Sequence, residues 1–571
     1  MKRSAPPVAL GGLMMASVLA LSACSGGSSD EGGNGSGSGA GGQAPVKGGT
    51  VEVLQNADFS YLDPSRGWDG GVNSFYRLVY RTLVAKAPND AADPNAMVPD
   101  LAESLGQASE DGLTWTYKIK QGVKFDTGAP ITSKDVKFGI SRSWDPEIGI
   151  GSPYMKQLID APADYQGPYR SGDLKTIETP DDATIVFHLK APFPEFDAAL
   201  SQPSATPFPE GTGEGDEFIN DIVSSGPYDL AQYTPGTLIE LKRNPEWDAS
   251  TDEIRKALPD AWKFSIGLDP ATIDERLLAG QGSDVNAMTS APSIQTATIA
   301  RIQTPQLQQR LVKNPSTCLT YMGLNTTKAP LDDVKVRQAI EFAVDKSSVL
   351  NATGGTQFAT VANTIIPTTV SGHKDFDLYP SEGGTGDVEK AKALLAEAGQ
   401  SGGFELTLDI RATPAMQRQG EAIQESLKRV GIDVKLNVID VSTYYETIGT
   451  PSQQHDAAIT GWCPDWNSSA STFLPPLFDG RNIYDKGNSN LAQLDDDAVN
   501  ESIDKAKAET DIEAANAAWG ALDEQIMQLA PVVPLNVENR LYIPGENVGG
   551  VITPSGDIDY TIIGLRDPSK G

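Results

Sequence analysis

Histidine and cysteine are scarce in this chain of 571 residues, with three of each. His188, His373 and His455 stand far apart, and none lies at ligand spacing from another, so a histidine-based metal centre has nothing to build on. HExxH, GxSxG, P-loop and CxxC patterns are all missing. Their absence removes the usual sequence signs of zinc hydrolysis, serine hydrolysis, phosphate cradling and thiol redox chemistry. The expectation is a protein that is not an enzyme and carries no cofactor and no metal. Basic residues are also in short supply: 45 lysines and arginines face 76 acids, for a net charge of −31, which argues against nucleic acid as a partner. In so acidic a chain, paired carboxylates at glycosidase spacing carry no information. The run Asp495 to Asp497 lacks the glycine and glutamate of a calcium loop and reads as the solvated start of a helix.

Only one long apolar run exists, and it lies at the start. Residues 1–23 place Lys2 and Arg3 before an apolar stretch from Val8 to Leu21, which is too short for a comfortable membrane span and ends in small residues; this is the pattern of a signal peptide. Leu21-Ser22-Ala23-Cys24 resembles the bacterial lipoprotein lipobox, so Cys24 is the expected lipidated residue. Residues 25–46 are nearly all glycine and serine and cannot pack. As a flexible coil of about 22 residues they have an end-to-end distance on the order of 25 Å, the reach of a tether within the segment 24–47. The membrane is thus expected to be a partner only through the lipid. About 525 residues follow, enough for two to four domains. With Cys24 assigned to the lipid, Cys318 and Cys463 remain as a pair in an exported protein, either a disulfide or two separate buried thiols, and the disulfide is the more economical reading.

Along the body, Thr50 to Leu54 alternates as a strand. Trp115, Tyr117 and Ile119 do the same after the Asp111-Gly112 turn, and Thr132 or Ser133 then caps a helix carrying Val136, Phe138 and Ile140. With a further strand at 183–189, residues 85–200 read as a small sheet-rich unit. Two strands flank the Pro235-Gly236 turn, and a helix begins at Pro270. Residues 334–350 put Val336, Ile340, Ala343 and Val344 on one helical face. Asp387 caps a helix that Gly399 ends. A strand at 404–410, a helix from Pro414 and a strand at 432–439 then make a βαβ unit, which implies parallel pairing and an α/β domain. Two helices fill 497–529, and 532–543 is extended.

Residues 461–478, GWCPDWNSSASTFLPPLF, crowd two tryptophans, a cysteine, an acid and adjacent prolines together. An aromatic wall beside a fixed carboxylate suits a ligand with an apolar body and a cationic end; a core segment with a capping aspartate has the same composition.

LDP at 62–64, LAES to SKDVKF over 101–138, SSGPYDL at 224–230, LNTTKAPLDDVKVRQAIEFAVDK at 324–346 and GWCPDW at 461–466 occur in the order in which they stand in one family. The chain resembles the extracytoplasmic solute-binding proteins of ABC importers, the peptide-binding class called family 5, and its oligopeptide-binding members above all. The resemblance implies an α/β, two-lobed periplasmic-binding-protein-like fold of the class II type with an extra small α+β domain. It maps one lobe to 48–84, 201–316 and 531–571, the extra domain to 85–200 and the second lobe to 317–530. It supports a Cys318–Cys463 disulfide. It also implies that Asp465 receives the α-amino group of a peptide ligand, that the backbone at Gly461 and Cys463 pairs with that peptide, and that Trp462 borders a side-chain pocket. The expected protein is a monomer outside the cytoplasmic membrane whose partners are a peptide and the permease of an ABC importer. The same fold with a metal chelate, an oligosaccharide or an opine-like cargo is the alternative, and a secreted hydrolase a more distant one. After Trp466 the chain departs from the family pattern, with serines where an acid and a proline are common.

Overall fold

Thr50–Leu54 lies second in a five-stranded sheet, paired in parallel with Ala261–Ser265 on one side and Ala287–Met288 on the other. Leu238–Arg243 and Tyr228–Thr234 continue the sheet antiparallel, joined by the expected turn at Gly236, whose φ of 70° suits a residue without a Cβ. Val51, Val53, Trp262 and Phe264 are fully buried or nearly so and pack with Phe75 and Tyr76 of the helix Gly70–Val79. The computed structural model describes residues 43–67, 70–148, 151–220, 222–289, 294–441 and 443–570. The expected signal peptide and Cys24 lie outside the described residues.

A second, small antiparallel sheet is centred on Thr114–Lys118 and Thr184–His188. Its inward side chains alternate as the sequence predicts: Trp115 faces Phe187 and Tyr117 faces Ile185, all buried. Beside it the helix Ser133–Ser141 starts at Thr132, whose backbone N–H donates to Asp135 Oδ2 at 2.7 Å, one half of a capping box.

The third sheet has six strands. Phe404–Arg411 and Ile432–Ile439 run parallel at one edge, and the helix Pro414–Lys428 forms the crossover, which confirms the βαβ unit. Its proline occupies the first turn, where no intrahelical N–H bond is lost. Residues 334–350 depart from expectation. They form two helices, Val334–Ala343 and Lys346–Thr353, because Asp345 accepts the Ser348 N–H at 2.8 Å and so caps a new helix in the middle of the apolar run.

Val312–Leu324 and Val532–Tyr542 are antiparallel neighbours in this sheet, with irregular register between Pro315 and Leu319. Their ends serve different cores: Val312 and Tyr542 pack with Trp262 and Phe75, whereas Met322, Val533 and Leu535 pack with the βαβ unit. The strand 532–542 thus supplies side chains to both cores.

Candidate functional site

The strand Ala457–Trp462 pairs antiparallel with residues 319–324, ending with Trp462 opposite Leu319. The next opposed pair in that register is Cys463 and Cys318, and they are joined by a disulfide with a Cα–Cα distance of 4.2 Å. The bridge therefore pins the end of the ladder two residues before Asp465. On its other edge the strand pairs with Phe404–Arg411 only at Ala457 and Ala458. Beyond Ala458 that edge has no strand partner among the described residues.

A cavity of about 430 Å³ opens beside the bridge. Its wall brings together Cys318, Cys463, Pro464, Asp465 and Trp466 with residues 73–97, 201–206 and 557–559. Of the residues expected at the site, Cys463 and Asp465 line this cavity. Gly461 and Trp462 do not: Gly461 is exposed on the strand, and the half-buried Trp462 donates its indole N–H to the Thr472 carbonyl at 2.9 Å. Asp465 is half-buried. Its backbone N–H donates to Thr472 Oγ1 at 3.1 Å, its carbonyl accepts from Gln202 at 3.4 Å, and its carboxylate accepts from the Tyr154 hydroxyl. Burial raises its pKa above the ordinary carboxylate value, and the Tyr154 bond pulls it partly back. No lysine or arginine pairs with it among the described residues.

Trp466 is buried next to Asp465, its ring 4.6 Å from Tyr154 and 6.2 Å, edge to face, from Phe193. Its indole N–H donates to Glu195 Oε2 at 2.9 Å; the Ser469 hydroxyl donates to Glu195 Oε1 at 2.7 Å and the Ser471 hydroxyl to Oε2. Glu195 is 5% exposed, and burial raises its pKa against the opposing effect of Ser471, Ser469, Trp466 and Trp519. A buried carboxylate without a cation is tolerable because its oxygens accept hydrogen bonds from the Trp466 indole and the two serine hydroxyls. The serines that break the family pattern after Trp466 thus have a use: two of them satisfy Glu195.

Sequence reasoning missed Tyr154, Glu195 and Gln202, which belong to segments more than 250 residues from Asp465 in the chain. The hydroxyl-rich run at 467–472 was the available sign, since its hydroxyls need acceptors once buried. Reasoning missed the charged wall as well, where Arg77, Lys86, Arg255, Arg540, Asp557 and Asp559 line the cavity. Among the described residues no helix is long and apolar enough to cross a membrane.

A model of the family described as bacterial extracellular solute-binding proteins, family 5 Middle, matches residues 96–485. Among curated proteins, the chain is 27% identical over 465 residues to Heme-binding protein A of Haemophilus influenzae, covering 76% of this chain and 78% of that one. It is 29% identical over 402 residues to the Dipeptide-binding protein of Escherichia coli, covering 67% and 70%. Among solved structures, Clavulanic acid biosynthesis oligopeptide binding protein 2 is similar with a TM-score of 0.84 and 34% identity, covering 93% of this chain and 98% of that one.

Proposed function

The chain belongs to the bacterial extracellular solute-binding proteins of family 5, and from that premise we propose that it captures peptides outside the cell and delivers them to the permease of an ABC importer. In this reading it is a monomer held at the outer face of the membrane by a lipid on Cys24. Residues 48–84, 201–316 and 531–571 form one lobe with 85–200 attached, 317–530 form the other, and the strands 312–324 and 532–542 carry the hinge. Ligand stabilises the closed form because only there do both lobes touch it, and the permease reads that shape.

The observation that carries the reading is Asp465, a half-buried carboxylate in a cavity wall with a tyrosine hydroxyl for company and no cation. A ligand ammonium completes it. The Ile459 carbonyl already accepts the Tyr444 hydroxyl at 2.5 Å, and the strand edge past it, toward Gly461 and Trp462, supports the same cargo, because an extended peptide adds to such an edge through backbone bonds indifferent to its sequence. In the two curated relatives, the names refer to heme and to dipeptides respectively. A non-peptide solute, whether metal chelate, oligosaccharide or opine-like compound, is therefore the second reading.

Native mass spectrometry of the protein purified without denaturation tests the cargo class, with released masses of short peptides as the expected result. Replacing Asp465 by Ala removes the partner of a desolvated ammonium, a loss of about 3 kcal/mol or roughly two decades in affinity. N-acetylated peptides are expected to lose the same amount on the unmutated protein, measured by calorimetry. Equal binding of acetylated and free peptides sinks the amine-anchor role, and an empty protein that ignores a peptide pool moves the assignment to a non-peptide solute.

A further inference from the structure

The cavity wall is braced from behind by a stretch without helix or strand that follows Ala359–Val361. Two of its residues hold the wall directly. The Thr369 hydroxyl donates to the Ser316 carbonyl at 2.7 Å, and the Ser371 N–H donates to the Asn467 carbonyl at 2.8 Å; Ser316 and Asn467 both line the cavity. From the region at 85–200, the Asn95 amide donates to the Thr369 carbonyl at 3.1 Å. Ile365, Ile366 and Val370 anchor the stretch in a core shared with Trp519, Leu522 and Ile526 of the helix Ile512–Leu529. The same helix sends the Asn516 amide to the Ser468 carbonyl at 3.1 Å. At Gly520 it presses so closely on the Gly372 carbonyl that a Cβ would stand 2.7 Å from the oxygen.

One side chain fixes the brace. Asp523, fully buried on the helix, accepts the Ile365 N–H on Oδ1 at 3.1 Å and the Ile366 N–H on Oδ2 at 2.9 Å. Each oxygen is committed to a backbone donor, so a proton on either turns an acceptor into a donor and costs one of the two bonds. The charged groups that face Asp523 are His373 on the brace and Glu524 on its own helix. His373 places Nδ1 2.7 Å from the Ile366 carbonyl and Nε2 2.9 Å from Asp375, and Glu524 is taken up by Lys374 at 2.5 Å. Burial pushes the Asp523 carboxyl up to about 7, against the pull of the two N–H groups and of His373. Its proton therefore comes and goes close to neutrality.

We propose that Asp523 is a positioning residue of the ligand cavity: ionised, it holds the brace against Ser316 and Asn467, and protonated, it lets the brace loosen, so that the protein grips ligand above neutrality and releases it in mildly acid surroundings. That assignment rests on the cavity being the ligand site, as read above, and makes the site respond to pH through a group that touches no ligand. Ligand favours the braced, ionised form, so binding below neutrality expels the proton from Asp523 and affinity falls with pH. Asp465 is raised by burial as well, and it weakens binding in acid on its own account.

Calorimetric titration of the parent and of Asp523→Asn with an equimolar tripeptide pool reads the effect. The amide keeps the shape of the carboxyl with a single acceptor oxygen, so it stands for the protonated form at every pH. The expected result is that the variant binds at least about fivefold more weakly than the parent at about pH 7.5, and that the two converge to within about twofold at about pH 5.5. Asp465 is common to both proteins and cancels in that comparison. A gap of the same size at both pH values overturns the proposal, since a merely structural role lowers affinity uniformly. Amide hydrogen exchange of the ligand-free parent, corrected for its intrinsic dependence on pH, needs neither ligand nor variant. Residues 362–374 are expected to lose at least about fivefold of their protection between about pH 7.5 and about pH 5.5, while the strand Phe404–Arg411 keeps its own. Equal protection of the brace at the two pH values overturns the proposal. Failure of the pool to bind at any pH overturns the peptide reading alone, and the exchange result then decides the role of Asp523 by itself.

Discussion

Glu195 offers the most direct test of how the two sides of the site are held together. Its carboxylate takes the Trp466 indole N–H and the hydroxyls of Ser469 and Ser471, residues 271 to 276 positions away in the chain. Glu195→Ala leaves three donors facing a void. Each buried donor left without a partner costs about 1–3 kcal/mol, offset by no longer holding a carboxylate out of water, for a net loss of about 3 kcal/mol. Glu195→Gln keeps the shape but turns an amide N–H₂ toward donors, a smaller loss of about 1–2 kcal/mol. Under the closing motion proposed above, these bonds join the region at 85–200 to the ligand segment and exist only in the closed form. The loss then falls on closure, and peptide affinity drops by about two decades for Ala and about one for Gln. Titration calorimetry measures affinity, and thermal unfolding of the ligand-free protein measures the rest. Unchanged affinity with a lowered ligand-free melting temperature refutes the argument, because the contact then persists whether or not ligand is bound.

Replacing Cys318 and Cys463 by alanine opens a loop of 145 residues. The chain-entropy model puts the destabilisation at up to about 5 kcal/mol, seen as a lower denaturant midpoint, with peptide affinity falling as well because Asp465 follows the bridge by two residues. Glu341 is fully buried, 3.6 Å from Lys346, and burial raises its pKa from 4.5 to about 7. A carboxyl raised on folding stabilises below its unfolded value and loses that contribution as pH rises toward 7. Glu341→Gln, which stays neutral, is therefore expected to gain melting temperature relative to the parent between about pH 4.5 and 7, with no further gain above; a gap independent of pH contradicts the burial argument.

Local order was readable in the sequence wherever neighbours decide it. The helix Pro414–Lys428 between parallel strands, the cap at Asp387 and the alternation through Trp115 and Tyr117 all follow from period, capping and turn chemistry within about fifteen residues. The disulfide came from counting and resemblance. The break at Asp345 was missed because an apolar face and a capping aspartate made competing claims on the same stretch, and the cap prevailed. Glu195, Tyr154 and the Lys86–Arg540 wall were out of reach for a different reason. With 76 acids in the chain, nothing local distinguishes the carboxylate that three distant donors will surround.

The strands that run between the two cores also fix the order in which the protein can be completed. The core around Val51 and Phe264 takes Tyr542, Val548, Tyr560 and Leu565 from the far end of the chain, whereas the core of the βαβ unit is filled from residues 322 to 535. No N-terminal fragment that stops short of Leu565 contains the first core whole. The strand Thr50–Leu54 is synthesised long before the side chains that seal it, and a premature stop codon anywhere before residue 542 leaves it without them.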